Sequence, residues 1–169
     1  LIPQDPEIFA DTVRFNVCFG IKAHDDAILK ALKLARFEPV LARLPRGLDT
    51  NVAEKGVNLS GGERQRLGLA RGIFFSGDAE IVLLDEPTSS VDSINEKVVF
   101  INLLKHFRDR SLVCSVHKLN LLQLFDEVYL FSNGQMVERG SFGELLDKQG
   151  CFADLWRNYS EGVSPWVSE

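Results

Sequence analysis

Leu59-Ser60-Gly61-Gly62-Glu63-Arg64-Gln65-Arg66-Leu67 reads as the opening of a helix built to hold an anion. Ser60 is a favourable N-cap, and Glu63, three residues on, completes a capping box. Gly61 and Gly62 leave the first-turn N–H groups unshielded by side chains, and those groups together with the helix dipole attract a phosphate. Leu67, Leu69, Ala70, Ile73 and Phe74 follow at helical spacing, which predicts a helix from Gly61 to about Phe75. Taken alone, the stretch is equally the start of an ordinary amphipathic helix, and the residues downstream decide between the two.

Ile81-Val82-Leu83-Leu84 is a continuous aliphatic run, the pattern of a parallel strand buried on both faces. Asp85 and Glu86 follow it directly, at the strand end where open parallel sheets bind ligands. A carboxylate in that position suits Mg²⁺, held directly or through water. The adjacent acid suits polarisation of a water for attack on a phosphoryl group. His117 ends the next predicted strand, Ser111 to Val116, at the same sheet edge, where a neutral imidazole can hydrogen-bond a terminal phosphate or orient the water. His24 and His106 have no such setting and read as surface residues.

Composition narrows the classes. With 169 residues the chain suits one domain with a sizeable core, and 45% hydrophobic against 25% charged residues is the balance of a soluble globular protein. A net charge of −5 argues against a nucleic-acid surface. Cys18, Cys114 and Cys151 are odd in number and form no C-x-x-C pair, which disfavours zinc and disulfides and fits reduced thiols. No apolar run approaches the ~20 residues of a membrane span, and no signal peptide is visible. The only Met is Met136, and Ile2-Pro3-Gln4-Asp5-Pro6 reads as a strand end entering a loop, so the chain is expected to be a fragment that begins inside a domain.

Around these motifs the pattern predicts a short helical turn at Thr12–Val17 and a helix capped by Asp25 or Asp26 that runs to Arg36 and is ended by Pro39. A second short helix is expected at Val40–Leu44, followed by a loop to Asn58. Beyond the first strand come a helix from Ser93 to about Phe107 with Ser93 and Glu96 as its capping box, a short helix at Leu119–Phe125 and a strand at Val128–Phe131. Asn133-Gly134 marks a type I′ hairpin into a strand at Gln135–Glu138. A helix capped by Ser141 and Glu144 runs to Lys148, another covers Cys151–Tyr159, and a loose tail follows. Alternation of strand and helix after residue 80 implies an α/β parallel sheet, with the mostly helical first 75 residues as a separate lobe.

These motifs resemble the nucleotide-binding domain of an ATP-binding cassette (ABC) transporter, over about residues 1–159. Leu59-Ser60-Gly61-Gly62-Glu63 resembles the family signature, whose fifth residue is more often Gln. Ile81–Glu86 resembles the Walker B strand, which implies Asp85 as the magnesium-side acid and Glu86 as the catalytic base. Ser89-Ser90-Val91-Asp92 resembles the D-loop, His117 the switch histidine, and Gln4 the Q-loop glutamine that senses magnesium and the γ-phosphate and faces the membrane domain. Pro3-Gln4-Asp5-Pro6-Glu7-Ile8-Phe9, Thr12–Val17 and Leu44–Thr50 are similar to the exporter branch. Thr50–Gly56 would then be the X-loop, with Asn51 where exporters usually carry Glu. Gln4 and Ser60 are too close in sequence for a long coiled coil, which disfavours the chromosome-maintenance and DNA-repair members.

The resemblance implies a P-loop NTPase-type (RecA-like) parallel sheet flanked by helices, its N-terminal part missing. Residues 1–76 would form the Q-loop and helical signature subdomain, 77–150 the α/β core, and 151–169 a C-terminal helix and tail. It implies ATP and Mg²⁺ as cofactors: Glu86 and His117 catalytic, Gln4 and Asp85 at the metal, and Gln4, Leu59–Glu63, Asp85 and Asp92 at the nucleotide. It also implies a head-to-tail dimer with a second nucleotide-binding domain, a transmembrane domain as the other partner, no nucleic acid, and a place on the cytoplasmic face of a membrane. Two other readings stay open: a regulatory or pseudo-ATPase dimerisation module, and a soluble ABC ATPase outside transport. No Gly in the chain is followed by Lys, so the Gly-x-x-x-x-Gly-Lys-Ser/Thr phosphate cradle is absent. The 169 residues alone are therefore expected to bind ATP very weakly and to hydrolyse none. Magnesium-dependent ATP turnover by the purified polypeptide, measured by phosphate release, would overturn this.

Overall fold

The helix predicted at the signature forms with the expected ends, α4 at Gly61–Phe75. It belongs to a computed structural model that describes residues 1–52 and 59–161. The second half of the predicted X-loop, the loop end at Asn58 and residues 162–169 of the tail lie outside the described residues. The chain divides into two compact units, Leu1–Ser115 and a second beginning at Val116.

In the first unit the chain runs through α1 (Val13–Cys18), α2 (Asp25–Leu34), α3 (Glu38–Arg43), α4, β1 (Ile81–Asp85), α5 (Ser93–His106) and β2 (Ser111–Ser115). α4 packs on α1 and α2. Leu67, Leu69, Ala70 and Ile73 join Val13, Val17, Ile28 and Leu32 in one buried cluster, which continues through Val82 and Leu84 to Val99, Leu103 and Phe107. Each Val, Leu, Ile or Phe among them contributes roughly 1.5–3 kcal/mol of transfer free energy. β1 and β2 are parallel, with Ile81 opposite Ser111 and Asp85 opposite Ser115. On the other edge of β1, Ile2 N–H donates to Leu83 O (2.8 Å) and Asp85 N–H donates to Ile2 O (2.9 Å), so residue 2 adds a parallel bridge to the sheet.

α4 carries an unusual face. A Cβ added at Gly68 would lie 2.2 Å from Cβ and Cγ of Pro6, and one at Gly72 would lie 2.4 Å from Cδ1 of Ile2. Glycine inside a helix costs about 1 kcal/mol against alanine, yet here it lets the segment that carries Gln4 lie directly on the helix. Farther along the helix, Arg71 holds the following loop: Nε donates to Asn16 O (2.7 Å) and Nη1 to Glu7 O (2.8 Å). Asn16, fully buried, accepts from Phe9 N–H at 2.8 Å and returns its amide to Phe9 O at 3.0 Å.

Several local readings are corrected. The α2 N-cap is His24, which makes no side-chain cap bond; Asp25 and Asp26 sit in the first turn, where they meet the dipole instead. Pro39 does not stop α2, which ends at Leu34, but opens α3, where its missing N–H costs nothing. The α5 N-cap is Asp92 rather than Ser93, its carboxylate accepting from Asn95 N–H at 3.0 Å. Glu96 is buried, accepting from Thr88 Oγ1 at 2.8 Å. β1 is not covered on both faces: Val82 and Leu84 are 5% and 3% exposed, but Ile81 and Leu83 are 61% and 43% exposed. The second face of β1 is thus apolar, as the run implies, but is left open among the described residues.

In the second unit, β3 (Val128–Ser132) and β4 (Gln135–Gly140) form the expected hairpin, an antiparallel pair rather than an addition to the parallel sheet. Asn133 and Gly134 both take positive φ (47° and 75°), as a type I′ turn requires. α6 (Phe142–Asp147) carries the capping box of Ser141 and Glu144. Before α7 (Cys151–Ser160), Glu138 of β4 accepts from Cys151 N–H (2.8 Å) and Phe152 N–H (2.9 Å), so a strand side chain caps the helix. Leu119, Leu122, Val128, Leu145 and Phe152 form the buried cluster, with Phe142 edge-on to Phe152 and Trp156. No helix among the described residues is long and apolar enough to cross a membrane.

Two outcomes follow from α4. Gly68→Ala, a change that strengthens an ordinary helix, should instead destabilise the fold by about 1–3 kcal/mol in urea unfolding, because the new methyl group meets the Pro6 ring. A stabilised variant would show that the close approach does not exist. At the N-terminus of α4, burial opposes ionisation of Glu63, but the bond from Ser60 N–H and the Arg43 guanidinium outweigh it and hold the carboxyl below its ordinary range. Its contribution is therefore present above the ordinary carboxylate range and lost as pH falls through the depressed value. Glu63→Gln keeps the capping box but loses the charge, so urea unfolding should find it less stable by a few tenths to about 1 kcal/mol at neutral pH. The gap should close in acid, and a gap constant with pH would exclude the carboxylate charge as its source.

Candidate functional site

The N-terminus of α4 is built as the sequence implies. Ser60 Oγ accepts from Glu63 N–H (3.3 Å) while Ser60 N–H donates to Glu63 Oε2 (2.9 Å), and Arg43 Nη2 donates to the same oxygen at 2.7 Å. The Ser60 hydroxyl is used here as an acceptor, which leaves its proton for a ligand oxygen. Ser60 and Gly61 are exposed. Leu59 is buried in the core, and its carbonyl accepts from Arg64 Nη1 at 2.7 Å.

The two glycines differ. A Cβ at Gly61 would make only ordinary contacts, but one at Gly62 would lie 2.5 Å from the carbonyl oxygen of Ser90. Gly62, itself buried, therefore brings the Ser89–Val91 segment against the first turn of α4. Asp92 ends that segment as the N-cap of α5, and the Asn95 side chain and backbone N–H hold its carboxyl below the usual range.

A second cluster lies at the C-terminal end of β1. Gln4 Nε2 donates to Glu86 Oε2 at 2.9 Å, across 82 residues of sequence. Ser115 Oγ, at the end of β2, donates to Asp85 Oδ1 (2.7 Å) and accepts from Glu86 N–H (3.0 Å), fixing the two acids relative to each other. Glu86 has φ +40°, a left-handed conformation that costs a non-glycine residue about 1–2 kcal/mol. The negative field is felt by a neighbour: burial pushes the Cys114 thiol up to about 12, and the charges of Asp85 and Glu86 add to it.

Gln4, Asp85 and Glu86 are thus brought together, and Ser60 to Glu63 stand at the head of α4 beside Ser90. His117 lies in the second unit, two residues beyond the end of β2. Among the described residues no group of three or more His, Cys, Asp and Glu side chains forms a metal cage. Asp85 with the Gln4 amide oxygen nevertheless fits Mg²⁺, a hard cation usually held by one or two carboxylates together with substrate phosphates.

Sequence reasoning missed Ser115 and Gln65. Gln65, 4% exposed, lies inside the cluster. It donates from Nε2 to Gln4 O (2.9 Å), Glu86 O (3.0 Å) and Ser89 Oγ (2.9 Å), and accepts from Ser90 N–H at 2.9 Å. The signal available was its position: four residues after Gly61 and three before Gly68, it falls on the inner face of the helix, where an uncharged polar side chain requires partners.

The family model for ABC transporters matches residues 1–89. The chain is 36% identical over 159 residues to an Aspergillus fumigatus protein named iron-sulfur clusters transporter atm1, mitochondrial, covering 92% of this chain and 22% of that protein. It is 34% identical over 163 residues to ATP-binding cassette sub-family B member 6 of Rattus norvegicus, covering 96% of this chain and 19% of that one. Among solved structures it is similar to a bacterial Atm1-family ABC exporter with ATP bound, at 31% identity and a TM-score of 0.83, over 99% of this chain and 28% of that chain. The chain spans about a fifth of the length of these relatives. The signature helix, the acid pair at the end of β1 and these likenesses lead to one conclusion: the chain belongs to the ABC transporter family.

Proposed function

We propose that this chain is part of the ATP-hydrolysing domain of a membrane exporter, working on the cytoplasmic face as one half of a head-to-tail pair of nucleotide-binding domains and driven by ATP and Mg²⁺. The observation that carries the reading is the Gln4 amide on the Glu86 carboxylate, 2.9 Å away, beside Asp85 at the end of a parallel strand. In this reading residues 1–76 form the Q-loop and signature subdomain, 77–150 the catalytic core, and 151–169 a C-terminal helix and tail.

Asp85 and the Gln4 amide oxygen would hold Mg²⁺, which supplies neutralisation of phosphate charge when bound. Glu86 accepts a proton from the attacking water, and His117 donates a hydrogen bond to the terminal phosphate. The Ser60 hydroxyl and the Gly61 and Gly62 amides, flanked by Leu59 and Glu63, bind the γ-phosphate of the nucleotide held by the partner domain, and Asp92 fixes the loop between the two sites. Gln4, bonded to Glu86 and placed in the segment entering α1, relays the state of the site toward the transmembrane partner.

The test is Glu86→Gln in the full-length transporter. Turnover should fall at least about 100-fold, the lower end of what a positioned base supplies. The ATP-bound dimer should accumulate on size exclusion. Unchanged turnover would remove Glu86 from the role of base.

A further inference from the structure

We propose that Gln65 is a positioning residue for hydrolysis: it ties the Gln4 segment to the residue after β1, so that the Gln4 amide meets the Glu86 carboxylate. This rests on Glu86 acting as the base.

Both backbone polar groups of Glu86 are held from outside its own segment, its N–H by Ser115 Oγ (3.0 Å) and its carbonyl by Gln65 Nε2 (3.0 Å). A left-handed non-glycine residue persists only where its surroundings over-determine it; at Glu86 the N–H is held by Ser115, and the carbonyl by Gln65 together with the turn bond from Ser89 N–H (3.2 Å), so Gln65 is the restraint that comes from α4. The same Nε2 reaches the Gln4 carbonyl at 2.9 Å. The residue whose amide touches the Glu86 carboxylate is thus fastened to the same nitrogen as Glu86 itself. Oε1 and the third Nε2 contact hold Ser90 N–H and Ser89 Oγ, each at 2.9 Å, which spaces the loop after β1 from α4. Three acceptors share two protons, so one proton is bifurcated and none is left over. Gln65 is buried and five residues along the helix from Ser60, and it touches the base through its backbone.

The donor side of the amide is the part that matters, and Gln65→Glu removes it while keeping shape and one acceptor. The introduced carboxylate faces the Gln4 and Glu86 carbonyls and repels them. Gln65→Met keeps the volume and has neither donor nor acceptor. ATP turnover against ATP concentration is measured in the full-length transporter, with thermal melting to verify folding and Glu86→Gln run in parallel. Expected is a loss in kcat of roughly 10–100-fold for both variants at about pH 8, as for a misplaced catalytic group, with KM for ATP within about twofold of the parent.

A kcat within about twofold of the parent in either folded variant, or a loss confined to KM, overturns the inference. If Gln65→Glu does not fold, Gln65→Met decides by the same criteria, and failure of both to fold overturns a positioning role in favour of a purely structural one. If Glu86→Gln abolishes turnover while the Gln65 variants retain it, this inference alone fails. If Glu86→Gln is also without effect, the reading of Glu86 as base fails with it.

Discussion

One helix face brought against backbone is the constraint on which the first unit depends. Along α4, Gly62, Gln65, Gly68 and Gly72 present almost no side-chain bulk except a single amide. Against them lie the Ser90 carbonyl, the Gln4 segment, Pro6 and Ile2. The opposite face of the same helix is aliphatic and anchors the core through Leu67, Ala70 and Ile73. The helix is therefore held from behind by the hydrophobic effect and applied in front to loops that have no core of their own. Those loops are the ones that carry Gln4, Glu86 and Ser89–Asp92, and their positions are inherited from the helix.

What could be read from the sequence follows from how local its cause is. The α4 and α6 capping boxes involve residues three apart, and both were legible; so was the Asn133-Gly134 turn, whose cause is the φ tolerance of two residues. The misassigned caps have a different source. His24 and Asp92 precede stretches with two or more plausible cap residues, and the choice among them is made by where the incoming chain is held, which no short window contains. The site divides in the same way. Asp85 and Glu86 announced themselves through the aliphatic run before them. Ser115 and Gln65, which orient them, did not, because their partners lie 21 to 61 residues away in sequence. A glutamine between two arginines on a helix resembles surface until the neighbouring glycines are seen to share its face.

At the end of β1 the chain sets two acids side by side and then separates their duties by backbone conformation. Asp85 still obeys the strand, pairs with Ser115 in register and shares its hydroxyl. Glu86 has left the strand through a positive φ and turns to Gln4. Adjacent carboxylates in a regular strand would alternate faces; here the second residue of the pair is left-handed, and one serine serves both members.

In the second unit, Glu138 gives the hairpin a mechanical role. Its carboxylate, midway along β4, holds the first two N–H groups of α7, and a Cβ at Gly150 would lie 1.9 Å from one of its oxygens, so a larger residue there would displace the carboxylate from this position. The strand and the helix are thereby joined through a polar hinge pin rather than through apolar contact alone. Loss of the Glu138 carboxylate would therefore leave the first two N–H groups of α7 without their acceptor, and the start of that helix depends on a residue of the ribbon.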